Sequence, residues 1–440
     1  MIRIRHTHYL LFLTLIAVFL KYSSGQFCTK DGECSDKSSL LSRYILYDVN
    51  RPEGFNLRRD VYMRLAIFVR EYAKTFHQDA HLVLPPWDSL YHWQTPEEEI
   101  GNQKQLFWDN FFDVPSMKEF APVLEMHEFL EGVKQFKVDE VFILQHYKDL
   151  FESKDGLIDW KPRWKKTSCN QPDSSRKFRK IKDDEYEVNL WGYKNITAKN
   201  VHCISFQGEA SLIAELLDFY RPRIAVIDHA EVALHHNFGG PTYWKSRRSM
   251  RFNKQLVKLA TDSRNEFLNS NDITDKTSRP DDWKQEKEQR DAIGGPYLAV
   301  HLRRKDFLIG RRDKVPTLEE AAKQIKKLLE KLNLNTVFVA TDSPTLEFLE
   351  LKKRLIEYSV LRYEPSKQVK LLHKDGGIAI IDQIICSHAR YFIGSQDSTF
   401  SFRIQEEREI LGFDPDSTFN GFCVDSETKC EQPSRWKIIY

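Results

Sequence analysis

Residues 297–303 read YLAVHLR and residues 336–342 read TVFVATD. Both are short, mostly apolar runs, which predict buried β-strands. Residues 318–332 lie between them and carry apolar side chains at helical spacing, which predicts an α-helix. A strand, a crossover helix and a second strand form the unit from which parallel sheets are built. This stretch therefore predicts an α/β fold.

The same alternation extends on both sides of this stretch. Further strands are predicted at residues 44–50, 81–84, 141–145, 202–208, 223–228 and 390–394 and near Val360, and further helices from about Asn56, around 346–356, over 378–389 and from about Thr399. A polar stretch, 263–292, separates two series, and the basic residues 161–182 are interpreted as an irregular surface insert. A chain of 440 residues is too long for one ordinary core, so we expect two domains, residues 44–245 and 246–440.

The composition excludes several classes of protein. Hydrophobic residues make up 41% of the chain and charged residues 30%, which is typical of a globular protein. The 66 basic residues nearly balance the 64 acidic ones, so no basic field favours nucleic acid as a partner. The sequence lacks the phosphate-binding loop of ATPases, the nucleophile elbow of serine hydrolases and the His-Glu-x-x-His motif of zinc proteases.

The N-terminus predicts export. A basic segment precedes an apolar run that ends at Lys21, and Ser23 and Gly25 place small side chains before a cleavage point. We expect residues 1–25 to be a signal peptide that is removed, followed by an N-terminal tail of residues 26–43. A membrane anchor is the alternative, and it is less favoured because spanning a bilayer takes about 20 apolar residues. We therefore expect no membrane span after cleavage.

Seven cysteines in an exported chain predict disulfides. Pairs suggested by sequence position are Cys28 with Cys34, Cys169 with Cys203, and Cys423 with Cys430, although other pairings stay open. Cys386 lies in an apolar run and is expected to be a buried free thiol. The sequon at Asn195 predicts one N-glycan. The chain ends without a Lys-Asp-Glu-Leu type signal, so retention in the endoplasmic reticulum would need another mechanism.

Three segments carry candidate site residues, and each lies where α/β sheets bind ligands, beyond the carboxyl end of a strand. In the first segment, residues 51–60, Gly54 allows close approach of the backbone. Glu53 beside it is a candidate general base. The alternative for Glu53 is a first-turn acid that the helix dipole favours.

The second segment, residues 301–307, reads HLRRKDF. An arginine at the end of a buried strand suits a bidentate grip on phosphate oxygens, and Asp306 can orient one of the two arginines. Adjacent side chains point to opposite faces of a strand, so only one of them reaches a given ligand. The alternative is a structural cluster of ion pairs.

In the third segment, residues 395–403, small hydroxyl residues precede a predicted helix. These residues either help to bind an anion at the helix N-terminus or only cap the helix. Asp382 lies on an otherwise apolar helix face and needs a partner, either a base or ribose hydroxyl of a ligand or a buried arginine. Asp414 and Asp416 form the only Asp-x-Asp, in a predicted turn and not after a strand, which argues against a metal at a nucleotide site.

Residues 301–306, HLRRKD, resemble the His-x-Arg-Arg-x-Asp signature shared by protein O-fucosyltransferases and α1,6-fucosyltransferases. The wider resemblance runs from about Tyr44 to Tyr440 and is to the GDP-fucose protein O-fucosyltransferases that modify thrombospondin type 1 repeats. It is carried by YDVNRPEGFNLRRDVY, LPPWDSLYHWQ, GGPTYW, GGPYLAVHLRRKDF, VFVATD, KDGGIAIIDQ and STFSFRIQEEREILG.

The resemblance implies a GT-B fold, in which two Rossmann-like domains face each other across a cleft and the C-terminal domain holds most of the donor. It implies inverting transfer without a metal or other cofactor, a folded thrombospondin repeat as acceptor, and residence in the lumen of the endoplasmic reticulum. The donor contacts that it implies are Pro52, Glu53, Gly54, Phe55, Asn56, His301, Leu302, Arg303, Asp382, Thr399 and Phe400. The pairs Cys169–Cys203 and Cys423–Cys430 match the disulfides of the family, whereas Cys28, Cys34 and the Asn195 sequon depart from its pattern.

The reaction implied by the resemblance gives Glu53 and Arg303 catalytic roles. Glu53 would take the proton from the acceptor hydroxyl as that oxygen attacks the anomeric carbon of fucose. Arg303 would neutralise the charge that grows on the departing GDP, helped by the helix N-terminus at Thr399. Two alternatives stay open: a fucosyltransferase that acts on N-glycans, and a non-catalytic luminal protein that binds or folds disulfide-bonded repeats.

Overall fold

A computed structural model describes residues 42–76, 79–88, 90–147, 161–171, 174–424 and 430–440, together with the backbone of two short strands before them. Those strands, β1 (Phe27–Cys28) and β2 (Cys34–Ser35), pair antiparallel with Cys28 opposite Cys34. The disulfide predicted between their side chains and the predicted signal peptide lie outside the described residues. Within the described part of the chain, no helix combines the length and apolarity needed to cross a membrane.

The first half of the chain forms one mixed sheet. Its strands are β3 (Arg43–Tyr47), β4 (Ala80–Leu84), β5 (Val123–Glu125), β6 (Lys137–Gln145), β7 (Arg163–Thr167), β8 (Phe178–Lys182), β9 (Glu185–Val188), β10 (Ile196–Gln207) and β11 (Ile224–Asp228). Six of them run parallel in the order β5-β4-β3-β11-β6-β10, and β7, β8 and β9 extend the β10 edge in antiparallel pairs.

The interpretation of residues 161–182 as an irregular insert was wrong. The segment supplies β7 and β8, whose side chains are mostly exposed. Strands that bury little apolar surface leave no hydrophobic pattern in the sequence, and here pairing between backbones forms them. The disulfide between Cys169 and Cys203, which the sequence predicted, also ties this edge to β10.

Helices of the first half are α1 (Phe55–Phe76), α2 (Glu97–Ile100), α3 (Val114–Lys118), α4 (Met126–Glu131), α5 (Ser174–Lys177), α6 (Ile213–Tyr220) and α7 (Pro241–Ser249). The predicted apolar face of α1 is buried, including Val61, Leu65 and Val69. Burial of that stripe against the sheet aligns the helix with β3, and the turn between β3 and α1 therefore opens at the carboxyl edge of the sheet.

The second half forms a fully parallel sheet. Its strands are β12 (Gly295–Leu302), β13 (Thr336–Thr341), β14 (Ser359–Leu361), β15 (Ala389–Gly394) and β16 (Asn420–Gly421), in the order β14-β13-β12-β15-β16. Its helices are α8 (Lys254–Phe267), α9 (Phe307–Gly310), α10 (Leu318–Leu332), α11 (Thr345–Arg354), α12 (Lys367–Ser387), α13 (Thr399–Leu411) and α14 (Pro415–Thr418). The α10 bounds equal the predicted ones, whereas α12 begins earlier than expected and is broken at Lys374.

Two α/β halves are therefore present, as predicted, the first built on a mixed sheet with six parallel strands and the second on a fully parallel sheet. The predicted domain boundary between residues 245 and 246 falls inside α7.

A second predicted disulfide, Cys423–Cys430, is present near the C-terminus, and Cys386 is a buried free thiol. Asn195 is exposed immediately before β10, so its side chain is accessible to a glycan, which stays a prediction.

A buried ionic network joins the two halves. The fully buried carboxylate of Glu406 on α13 accepts hydrogen bonds from Tyr243 Oη and, at 2.7 Å, from Arg247 Nε, both on α7. Arg403 pairs with Glu406 at 2.9 Å and with Asp60 of α1 at 3.5 Å. Groups from α7 and α13 thus meet at one carboxylate, and Arg403 links this pair of helices to α1.

Substitution of Glu406 by alanine would leave two buried guanidinium groups short of their counter-charge. Breaking a buried ion pair in this way costs about 3–5 kcal/mol, so we expect the free energy of unfolding to fall by that amount. The control is Asp262→Ala, which removes an exposed pair with Lys258 and should cost less than about 1 kcal/mol. Urea unfolding of both variants measures the difference, and equal losses would contradict the role given to Glu406.

Candidate active site

A cleft between the two halves contains a cavity of about 670 Å³. It opens at the carboxyl ends of β3 and β12, where α/β sheets bind ligands. Ten of the eleven predicted donor contacts line it: Pro52, Glu53, Gly54, Phe55, Asn56, His301, Arg303, Asp382, Thr399 and Phe400. Leu302 is the exception, because its side chain is packed in the core of the second sheet. The candidate base and the candidate phosphate ligand therefore share one cavity.

Glu53 lies in the tight turn between β3 and α1. Its backbone N–H donates to the carbonyl of Asn50 at 3.0 Å, and Gly54 provides the carbonyl that begins the helical hydrogen bonding of α1. Burial raises the pKa of the half-buried Glu53 carboxyl, and the nearby carboxylate of Glu231 raises it further, against opposing effects of Arg58 and Arg64. A carboxylate whose pKa is raised is a stronger base, which suits proton abstraction.

Gly54 packs against the ring of His92, a cavity residue from the loop after β4. A Cβ atom at position 54 would lie 2.7 Å from His92 Cδ2, closer than any side chain tolerates. The adjacent Phe55 is buried among aromatic rings, including Trp87 at 4.6 Å between centroids. The Oδ1 atom of Asn56 accepts hydrogen bonds from Arg59 and, across the domains, from Gln383. The loop after Glu53 is thus fixed by packing on both sides.

Arg303 follows the last residue of β12 and is held on three sides. Its guanidinium pairs with Asp306 at 2.6 Å and with Asp342 at 2.7 Å, and it donates to Nδ1 of His92 at 3.0 Å. Burial and the charge of Arg303 lower the pKa of His92, which keeps the ring neutral and able to accept this bond. The expectation that Asp306 orients an arginine is confirmed.

The neighbouring arginine points the other way, as predicted. Arg304 is buried, donates to the carbonyl of Pro316 at 2.7 Å and pairs with Glu347.

His301 lies under the cavity, stacks on Phe400 with 4.3 Å between ring centroids, and bonds Ser401 at 2.8 Å. Burial and the charge of Arg303 lower the pKa of His301 to about 3, so its ring is uncharged where it lines the cavity.

Residues of α12 and α13 form another part of the cavity wall. Thr399 is the first residue of the 13-residue α13, whose unpaired backbone N–H groups and dipole favour an anion. Asp382 on α12 lines the cavity, and its buried Oδ1 has no hydrogen-bond partner among the described residues. Burial raises the pKa of Asp382 to about 8. A ligand that brings N–H or O–H donors would satisfy this oxygen and favour its ionised form.

Asp414 and Asp416 lie outside this cavity, as their turn position predicted. Asp414 caps α14, and Asp416 is exposed and pairs with Arg435. Sequence reasoning gave no role to His92, although it lies within the stretch LPPWDSLYHWQ, and it contacts Arg303 from the loop after β4. Asp342 could have been found, because it is the last residue of the predicted strand 336–342 and follows β13 at the same sheet edge.

Residues 44–411 match the family described as "GDP-fucose protein O-fucosyltransferase". The chain is 46% identical over 400 residues to "GDP-fucose protein O-fucosyltransferase 2" of Homo sapiens and 42% identical over 402 residues to the Caenorhabditis elegans protein of the same name, with 90% of each chain covered in both cases. The fold is similar to that of POFUT1 solved in complex with GDP-fucose, with a TM-score of 0.52, 16% identity, and 87% of this chain and 98% of that chain covered.

The two facing α/β halves and their shared cleft form a GT-B fold, as the sequence resemblance implied. The family match and the relatives make the chain a glycosyltransferase. The chain belongs to the GDP-fucose protein O-fucosyltransferase family.

Substitution of Gly54 by alanine tests the packing between the Glu53 turn and Arg303. The added methyl group must displace the His92 ring, which breaks its hydrogen bond with Arg303. Misplacement by about 1 Å can cost 10²-fold in rate, so we expect fucosyl transfer to fall by at least about tenfold. Gly310→Ala is the matched control, because nothing lies within 4 Å of its added Cβ. Equal activity of the two variants in a transfer assay would show that this contact does not matter.

Proposed function

We propose that this chain transfers fucose from GDP-fucose to serine or threonine hydroxyls of folded thrombospondin type 1 repeats, in the lumen of the endoplasmic reticulum. The observation that carries the proposal is the shared cavity, which brings Glu53 of one half and Arg303 of the other to the same cleft. The names of the relatives give GDP-fucose as donor and protein as acceptor. Two disulfides in the described residues support an oxidising compartment.

The donor is proposed to bind along the C-terminal half. The guanine base donates N–H groups to Asp382, whose buried Oδ1 has no hydrogen-bond partner among the residues that the structure describes. The diphosphate lies between Arg303 and the N-terminus of α13, which together supply positive charge from a guanidinium and from backbone N–H groups. Fucose then lies towards Glu53 on the opposite wall.

The proposed reaction is one displacement. Glu53 accepts the proton of the acceptor hydroxyl, the oxygen forms its bond to the anomeric carbon, and the bond from that carbon to the β-phosphate breaks. Attack from the face opposite the leaving group inverts the sugar configuration. Arg303 stabilises the negative charge on GDP, a role that a metal ion fills in other transferases. The proposal therefore requires no metal and no other cofactor.

Incubation of the protein with GDP-fucose and a purified thrombospondin repeat tests this function directly. We expect the folded repeat to gain one deoxyhexose by intact mass, with and without EDTA, and the reduced repeat to gain none. Loss of activity in EDTA that Mn²⁺ restores would overturn the metal-independent mechanism alone. Modification of N-glycans, or binding of the folded repeat without turnover, would replace the proposed function by one of its two alternatives.

Two substitutions separate the proposed roles within the cavity. Glu53→Gln keeps the size of the side chain but cannot take a proton, so we expect kcat to fall by about 10²–10⁴ with GDP affinity unchanged. Arg303→Lys keeps the charge but loses the planar grip, so we expect weaker GDP binding and a higher KM for the donor. Steady-state kinetics and calorimetric titration with GDP measure both. Near-normal kcat in Glu53→Gln would exclude this residue as the base.

A further inference from the structure

One arginine holds the turn that carries Glu53, although it is not among the implied donor contacts. Arg58 lies in the first turns of α1, and its guanidinium reaches back over the turn. Nε donates to the carbonyl of Glu53 at 3.0 Å, and Nη2 donates to the carbonyls of Val49 at 3.1 Å and Asn50 at 3.2 Å. Three backbone carbonyls of the turn therefore bind a single side chain.

The remaining edge of this guanidinium faces the end of β3. Arg58 Nη1 lies 3.8 Å from Oδ1 of Asp48, and the other oxygen of Asp48 pairs with Lys177 at 3.0 Å. Lys177 in turn pairs with the fully buried Asp228 at the end of β11 at 2.8 Å. The Arg58 side chain is only 16% exposed, so these contacts are shielded from water. We call the Arg58 guanidinium and the three carbonyls that it binds the clamp. Through Asp48 and Lys177 the clamp is anchored to the ends of β3 and β11.

Asn50 is held from its other side as well. Its backbone N–H donates to Oε2 of Glu231 at 3.1 Å, and Oε1 of Glu231 bonds the ring of His229 at 2.9 Å. The carbonyl of Asn50 accepts both the N–H of Glu53 and a guanidinium N–H of Arg58. The backbone that aims Glu53 is therefore fixed through contacts that do not involve the Glu53 carboxylate.

We propose that Arg58 is a positioning residue for fucosyl transfer, which fixes the backbone of residues 49–53 so that the Glu53 carboxylate meets the acceptor hydroxyl. The inference rests on the proposed role of Glu53 as base. Arg58 contacts neither donor nor acceptor in this scheme and acts on Glu53 through the turn, whereas its effect on the pKa of Glu53 comes from a positive charge that lysine would keep. The planar guanidinium of Arg58 reaches the three carbonyls from two different nitrogens, Nε and Nη2. Lysine cannot replace it, because its single ammonium nitrogen cannot span all three carbonyls.

The test compares Arg58→Lys with Arg248→Lys. Both changes keep the charge, and Arg248 also bridges backbone carbonyls, those of Trp283 and Glu286, which lie outside the turn. We expect Arg58→Lys to lower kcat about 10- to 100-fold with the KM for GDP-fucose and the affinity for GDP unchanged. Arg248→Lys should keep kcat near the wild-type value. A rise in donor KM in Arg58→Lys, or equal kcat losses in both variants, would overturn the proposal.

A double-mutant cycle examines whether Arg58 acts through Glu53. In the Glu53→Gln background the base is already lost, so Arg58→Lys should cause less than about a twofold further loss of kcat. A full additional loss of 10- to 100-fold would mean that Arg58 acts independently of Glu53, and the positioning role would be wrong.

Hydrogen exchange separates a failure of this inference from a failure of the proposed function. We expect the backbone N–H groups of Asn50 and Glu53 to exchange faster in Arg58→Lys than in wild type or Arg248→Lys, because their turn loses its clamp. This readout needs no transfer activity. If wild type transferred no fucose, the proposed function would fail, and the clamp would still be tested; unchanged exchange would overturn the clamp in an active enzyme.

Discussion

The carboxylate of Glu406 is the contact on which the geometry of the cleft depends. It is fully buried and binds groups from two helices, α7 and its own α13, while Arg403 extends the network to Asp60 on α1. Buried ion pairs rarely add net stability, because the charges lose their hydration. They act instead on the arrangement of the helices. Any arrangement that left one of these buried charges unpaired would have a much higher free energy, so few others are allowed. The network therefore fixes how the two sheets face each other.

Two of the helices joined in this way, α1 and α13, begin at the cavity. The N-terminus of α1 follows Glu53, the N-terminus of α13 begins at Thr399, and α12, which carries Asp382, is joined to α1 by the hydrogen bond between Arg59 and Gln383 at 2.8 Å. A shift between the two halves would directly change the distance between Glu53 and Arg303. Because the connections lie one or two turns behind the site, the cleft is preorganised before a ligand enters it, which is the condition for electrostatic stabilisation of a transition state.

Local patterns predicted the parts of the fold that bury apolar surface, and they failed elsewhere. The strand 297–303 and the helix 318–332 were found because their side chains face a core, whereas β7 and β8 were missed because pairing with other strands forms them. The break in α12 at Lys374 has the same origin, since Lys374 donates to the carbonyl of Ile100, a contact 274 residues away. Contacts between distant segments leave no local pattern.

In the candidate site, too, local patterns revealed some residues, whereas others depend on contacts between distant segments. Glu53, Arg303 and Asp382 were accessible to sequence reasoning because each follows a strand or interrupts an apolar face. Leu302 was carried over with its neighbours, although alternation along β12 turns its side chain into the core. The groups that hold Arg303, such as His92, come from loops that only the fold brings together. Resemblance pointed to residues that line the cavity, and it gave no role to those that support them.

The environment of Glu53 balances two opposed requirements. A general base must be strong enough to take a proton and must also be unprotonated when the acceptor arrives. Burial and Glu231 raise the pKa of Glu53, whereas Arg58 and Arg64 lower it. Glu231 and Arg58 are also the two side chains that bind the backbone of Asn50 from opposite sides. The same pair of side chains thus contributes to both the direction and the basicity of the carboxylate, although burial is the largest cause of its raised pKa.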